Sequence, residues 1–175
     1  MCHVFNRQPK QEKIIAEYVM QNKESFYRLA YSYVQNRDDA LDIVQDSIQK
    51  AITAGTLKDI QAVKSWFYRI VVNTSLDFLR RRKKVTVLDD TTIQLHSPSH
   101  EDHYHDMDLE QALNSLPIQY RSVVVLRYFE DLKIEDVAEI LELNINTAKT
   151  RLYKALKILR DQMNDLHLEE VRHNG

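Results

Sequence analysis

Two sets of side chains in this sequence have types and spacing suited to nucleic acid. The first lies in residues 146–160, where Lys149, Arg151, Lys154, Lys157 and Arg160 stand with no carboxylate among them. At about 100° per residue, Ala148, Leu152, Ala155, Leu156 and Leu159 fall on one helix face. The opposite arc carries Lys149, Thr150, Arg151, Tyr153, Lys154, Lys157 and Arg160. A row of cations on one side of a helix can neutralise a row of phosphates. The second set is Trp66, Arg69, Asn73, Asp77 and Arg80, which fall within about 80° of one another on a helix. An amide can read adenine edges, an arginine can read guanine or hold phosphate, and an indole can stack on an unpaired base. Both sets also fit a plainer description, as solvated faces with pairs at i,i+4. The run Arg80, Arg81, Arg82, Lys83 and Lys84 extends the second set with charge suited to phosphate or to solvent.

The elements that must position these residues are helices. The chain has 175 residues with only 2 Gly and 3 Pro, and no Asn-Gly or Asp-Gly hairpin signal, so it reads as all-α. Before the basic helix, Ile134, Val137, Ala138 and Leu141 recur at i, i+3, i+4 and i+7. Asn144 then offers a side-chain oxygen to cap a new helix. Two short helices around a tight turn, the second basic on its outer face, form the layout of a helix-turn-helix. Glu142 or Leu143 occupies the turn where such motifs often carry glycine.

Upstream, helices are expected over 10–21, 23–35 and from Asn36, whose side chain can cap the third with Asp38 and Asp39 in its first turn. In the first two, Ile14, Ile15, Tyr18 and Val19, then Phe26, Leu29, Ala30, Tyr33 and Val34, face inward. In the third, Leu41, Val44, Ile48, Ala51 and Ile52 are expected inward, with Asp42, Gln45, Asp46 and Gln49 outward. Ala54-Gly55-Thr56 ends it. A long helix over 61–82 carries Val63, Phe67, Ile70, Val71, Thr74 and Phe78 beside the polar line. Residues 85–105 read as an acidic, flexible linker between two domains, 10–84 and 106–165. Residues 86–110 hold seven carboxylates and no Lys or Arg. A helix over 106–116 and another over 118–130 follow. Val123, Val124, Val125, Leu126, Tyr128 and Phe129 nearly encircle the latter, which makes it the expected centre of the second domain. The tail from Asn164 is expected to fray.

Composition narrows the function. Net charge is −2, so it is the distribution of charge that points to nucleic acid. Cys2 is the single cysteine, which permits no internal disulfide and suits a reducing compartment. No apolar run reaches the roughly 18 residues of a membrane span, and the first residues have no signal-peptide core. His96, His100, His103 and His105 lie in the linker with Glu101, Asp102 and Asp106, at a spacing that matches no tight metal motif, so no metal is assigned. With no Gly-rich phosphate loop and no clustered acid and base on rigid elements, no catalytic residue is assigned either. A duplex-binding dimeric regulator is the competing class. It leaves the 66–80 line and the acidic 42–46 face without a purpose.

Three stretches together resemble a known family. Asp38-Asp39-Ala40-Leu41-Asp42-Ile43-Val44-Gln45-Asp46-Ser47 is the first. The second runs from Ser65-Trp66-Phe67-Tyr68-Arg69 through Asn73 and Asp77 to Arg80-Arg81. The third comprises Leu116-Pro117 to Leu126, Asp136-Val137-Ala138-Glu139-Ile140-Leu141 and Thr147-Ala148-Lys149-Thr150-Arg151-Leu152-Tyr153-Lys154-Ala155. In order and spacing they are similar to bacterial RNA polymerase sigma factors of the extracytoplasmic-function type. Ile52 departs from the tryptophan common there. The resemblance implies an alternative sigma factor, with a region 2 bundle and a region 4 helix-turn-helix, that starts transcription in a stress or envelope response. Asp42, Gln45, Asp46 and Gln49 would face core RNA polymerase. Trp66, Arg69, Asn73, Asp77, Arg80 and Arg81 would lie at the −10 element, with a flipped base near the loop 54–60. Asn146, Thr147, Lys149, Thr150, Arg151, Tyr153 and Lys154 would touch −35 DNA. It also implies no cofactor and no small-molecule substrate. The free protein would be a cytoplasmic monomer, silenced by an anti-sigma factor that can hold it at the membrane.

Overall fold

The computed structural model describes residues 9–54, 57, 59–88 and 106–173. The linker histidines and most of the expected linker lie outside them, as do Gly55, Thr56 and Lys58 of the 54–60 loop. Among the described residues the fold is all-α, in two compact units.

The first unit is built from α1 (Pro9–Gln21), α2 (Lys23–Val34), α3 (Arg37–Ala54) and α4 (Val63–Leu88), with one turn of 3-10 helix at Ile60–Ala62. Helices α2, α3 and α4 pack on one another. Their core is Phe26, Leu29, Ala30, Ile43, Phe67, Tyr68 and Val71, all close to fully buried. The ring of Phe26 lies 4.4 Å from that of Phe67, 5.3 Å from Tyr68 and 5.9 Å from Tyr18. The Asn36 side chain caps α3, accepting from the Asp39 N–H at 3.0 Å. Buried hydroxyls are satisfied locally: Ser47 donates to the Ile43 carbonyl at 2.7 Å and Ser75 to that of Val71 at 2.8 Å.

The inward face of α3 differs from the expected one. Leu41 and Ile52 are exposed, at 51% and 54%, whereas Ala40, Ile43, Val44, Ser47 and Ala51 are buried. Hydrophobicity favoured the large residues, but a helix pressed between two others turns its small side chains to the contact. In α4 the expected inward face left out Tyr68 and Val72, both buried. Helix α4 also runs on to Leu88, past its expected end and into the start of the expected linker. Nothing between Val85 and Leu88 removes a hydrogen bond or adds flexibility, so no stop exists there.

The second unit comprises α5 (Asp106–Ser115), α6 (Ile118–Val124), α7 (Ile134–Ile140) and α8 (Ile145–His173). Ala112, Leu116, Val124, Ala155 and Leu159 form its buried cluster, with Leu113, Tyr120, Leu152 and Ile158 against it. From Val125 to Phe129 the chain widens into a π-helical turn, in which the Glu130 N–H donates to the Val125 carbonyl at 3.1 Å. Val123 to Leu126 are buried as expected, but Tyr128 and Phe129 are 54% and 41% exposed, so apolar residues do not encircle a buried helix. The wide turn shifts the phase of the last residues and turns both rings outward. Helix α8 continues past Asn164 to His173, because no glycine or proline stands between Ile145 and His173.

The turn between α7 and α8 has the expected non-glycine residue in the left-handed region, Glu142 at φ 54°. The Leu143 N–H closes the turn on the Ala138 carbonyl at 2.8 Å, the pattern of a Schellman cap. Asn144 caps α8, its side-chain oxygen accepting from the Asn146 N–H at 2.8 Å. A side chain at that φ costs about 1 kcal/mol that glycine avoids. Glu142→Gly should therefore stabilise the second unit by about 0.5–1 kcal/mol in urea unfolding. A lower midpoint would show that the Glu142 side chain contributes more than its backbone strain costs.

Candidate nucleic-acid interface

The start of α8 presents the expected basic surface. Asn146, Thr147, Lys149, Thr150, Tyr153 and Lys154 are exposed and Arg151 is half-buried, while Ala148 and Ala155 are fully buried beneath them. Thr150 donates its hydroxyl to the Asn146 carbonyl at 2.8 Å, which restricts its rotamer. Asn146, Thr147, Thr150, Arg151 and Lys154 line one open groove with Gln119 and Tyr120 from the first turn of α6. Lys149 and Tyr153 stand one turn apart on the neighbouring flank, outside it. Gln119 and Tyr120 were missed by the sequence reading, because nothing local marks them. Only the packing of α6 on α8 brings them to the groove. Among the described residues, Lys149, Arg151 and Lys154 have no carboxylate within ion-pairing distance. Their charge is therefore uncompensated locally, the condition for attracting phosphate.

The surface of the first unit is different. Trp66, Arg69 and Asp77 on α4 are half-exposed and Asn73, Arg80 and Arg81 exposed, so the expected polar line forms. The Trp66 ring stands edge-on to Phe67 at 6.5 Å. On α3, Asp42, Gln45 and Gln49 are exposed and Asp46 is half-exposed, as expected. Yet the two surfaces join. Arg80 reaches Asp77 at 2.9 Å, Arg81 reaches Asp46 at 3.9 Å and Arg82 reaches Asp39 at 2.9 Å. Lys50, which the sequence reading did not single out, sits between Asp46 at 3.3 Å and Asp77 at 4.0 Å. It also donates to the Thr74 hydroxyl at 3.2 Å. Lys50 and Asp77 lie 27 positions apart, so only tertiary packing brings them together.

One buried cation supports the second interface from behind. Arg121, 8% exposed, donates to the carbonyls of Asn114 and Leu116, both at 2.8 Å. These are carbonyls freed at the C-terminal end of α5, where a positive charge also suits the helix dipole. Burial pushes the guanidinium below its ordinary pKa through desolvation, but an arginine stays charged at neutral pH. Arg121 thereby ties α5 to the helix that supplies Gln119 and Tyr120.

Comparison with known proteins agrees with this arrangement. Residues 18–85 match the model for sigma-70 region 2 and residues 106–159 that for sigma-70 region 4. The chain is 54% identical over 146 residues to the RNA polymerase sigma factor SigV of Bacillus subtilis, covering 83% of this chain and 88% of that protein. It is 30% identical to the ECF RNA polymerase sigma factor SigW of the same organism, covering 82% and 86%. Among solved structures, the sigma factor RpoE in complex with the anti-sigma factor NepR from Bartonella quintana superposes with a TM-score of 0.74 at 23% identity, covering 85% and 96% of the two chains. Two helical units in this order, with a basic helix-turn-helix in the second, carry the sequence of a known family over most of its length. The chain belongs to the extracytoplasmic-function sigma factors of the sigma-70 family, the alternative factors that direct RNA polymerase to start transcription at chosen promoters.

Proposed function

We propose a division of that task between the two units, with residues 10–84 acting as region 2, 85–105 as the connection and 106–165 as region 4. In the first, Asp42, Gln45, Asp46 and Gln49 dock on core polymerase. Trp66, Arg69, Asn73, Asp77, Arg80 and Arg81 hold the melted −10 element. In the second, Asn146, Thr147, Lys149, Thr150, Arg151, Tyr153 and Lys154 bind the −35 element. Gln119 and Tyr120 join them on the far wall of the groove. The observation that carries this reading is that groove, where five of the seven expected −35 residues meet around cations with no counter-ion among the described residues. The factor works in an envelope or stress response and is held inactive by an anti-sigma factor. The structure of the sigma factor RpoE in complex with the anti-sigma factor NepR supports that part. A membrane-bound inhibitor would keep it at the cytoplasmic side of the membrane. Among the described residues, no helix of the chain itself is long and apolar enough to cross one.

The −35 assignment predicts that Arg151→Ala or Lys149→Ala weakens initiation. Loss of a base contact costs about 1–3 kcal/mol, roughly 5- to 150-fold. Loss of a phosphate contact weakens all promoters alike and lowers the salt dependence. Abortive initiation on a promoter that needs its −35 element measures both. Wild-type rates in both variants would remove α8 from the promoter contact.

A further inference from the structure

The cations of the two units differ in one respect that bears on how the factor is controlled. Lys149, Arg151 and Lys154 are locally uncompensated, but Arg80, Arg81 and Lys50 each stand against a carboxylate. The first unit holds a chain of alternating charge, in the order Arg81, Asp46, Lys50, Asp77, Arg80, at 3.9, 3.3, 4.0 and 2.9 Å. It crosses from α3 to α4. Its second member, Asp46, lies on the face assigned above to polymerase. Its first, Arg81, lies on the stretch of α4 assigned to DNA.

We propose that Asp46 is a shared counter-ion that couples polymerase docking to DNA binding, and that in the free factor it holds Arg81 away from phosphate. The proposal rests on the assignment of the two surfaces made above. Asp46 forms both ion pairs through one oxygen, Oδ2, with Lys50 at 3.3 Å and Arg81 at 3.9 Å, and the Arg81 contact is the longer and weaker. A cation of the polymerase arriving at Asp46 neutralises the charge that holds Arg81 there. Arg81 then loses its carboxylate, keeping the Asp77 carbonyl at 3.4 Å, and can turn to DNA. Reciprocity requires the converse: DNA that draws Arg81 off Asp46 leaves the carboxylate readier for polymerase. Lys50 keeps the carboxylate in place throughout, because Thr74 fixes its ammonium from the α4 side. The side chains of Asp46 and Arg81 are 39% and 68% exposed, so the coupling is that of a solvated pair, about 1.5- to 5-fold. That suffices to bias a factor against idle DNA without preventing initiation.

The test uses the full chain without polymerase. The probe is a fluorescent random-sequence single strand of about 12 nucleotides at low salt, read by anisotropy. Asp46→Asn should tighten binding about threefold more than Asp38→Asn, which removes the same charge from the same helix. In an Arg81→Ala background the excess should shrink to what the Lys50 pair alone contributes, because one of the two cations that Asp46 holds is gone. Equal effects in the wild-type background, or an excess undiminished by Arg81→Ala, would overturn the coupling while leaving the surfaces assigned as they are. If Arg81→Ala alone leaves affinity at the wild-type value, the end of α4 is not a DNA contact. The assignment of that surface then fails, and the proposal fails with it.

Discussion

Phe26→Ala is expected to destabilise the first unit by about 3–5 kcal/mol, the range for removing a buried aromatic ring. Phe26 is fully buried, and rings from α1 and α4 meet on it, so no neighbour can collapse into the space without moving a helix. A small domain is stable by about 5–15 kcal/mol in total, so such a loss approaches the whole. The reporter is built in: Trp66 is the only tryptophan and lies in this unit. Its fluorescence in urea should show a strongly lowered midpoint, and polymerase binding should fall although no interface residue has changed. An unchanged midpoint would mean that the aromatic cluster is not what holds α2 against α4.

Arg121→Met is expected to cost the second unit about 2–4 kcal/mol. Methionine nearly fills the same space but donates nothing, so the carbonyls of Asn114 and Leu116 lose their charged donor in a largely buried place. Relief of the desolvated guanidinium offsets part of the loss, which keeps the figure below the sum of two charged hydrogen bonds. Arg121→Lys should lie between: both bonds leave one terminal nitrogen, Nη2, and the shorter lysine stem ends short of that position. Helicity by circular dichroism should show an early partial transition, while Trp66 fluorescence keeps its wild-type midpoint. A loss below 0.5 kcal/mol, on the order of a surface substitution, would mean that water serves those carbonyls as well as Arg121 does.

Local rules were enough to read some parts of this chain and not others. Asn36 and Asn144 were legible as caps because a cap needs only its own side chain and the next backbone N–H groups. The turn was legible to within two residues, Glu142 or Leu143, because two helical periods must be broken somewhere between Leu141 and Asn144; the backbone puts Glu142 in the left-handed region. The basic arc of α8 followed from spacing alone. What failed required knowledge of neighbours. Leu41 and Ile52 look like core residues until α2 and α4 are seen to take the side of α3 that bears Ala40, Ser47 and Ala51. Their exposure places two apolar side chains beside Asp42 and Gln45, on the surface proposed for polymerase. Tyr128 and Phe129 read as buried because a regular helix was assumed where the backbone makes a π turn. Gln119, Tyr120, Lys50 and Arg121 carry no local signature. Each matters for what tertiary packing sets against it, or for what it donates to across a helix boundary.

The most direct test of the central claim is run-off transcription with purified core RNA polymerase on a genomic promoter library, with and without this protein. The account predicts new start sites that appear only with the protein and share paired −35 and −10 elements. Those starts should weaken when Arg151 or Lys149 is replaced by alanine. Start sites identical with and without the protein, combined with tight binding of duplex DNA by the protein alone, would contradict it.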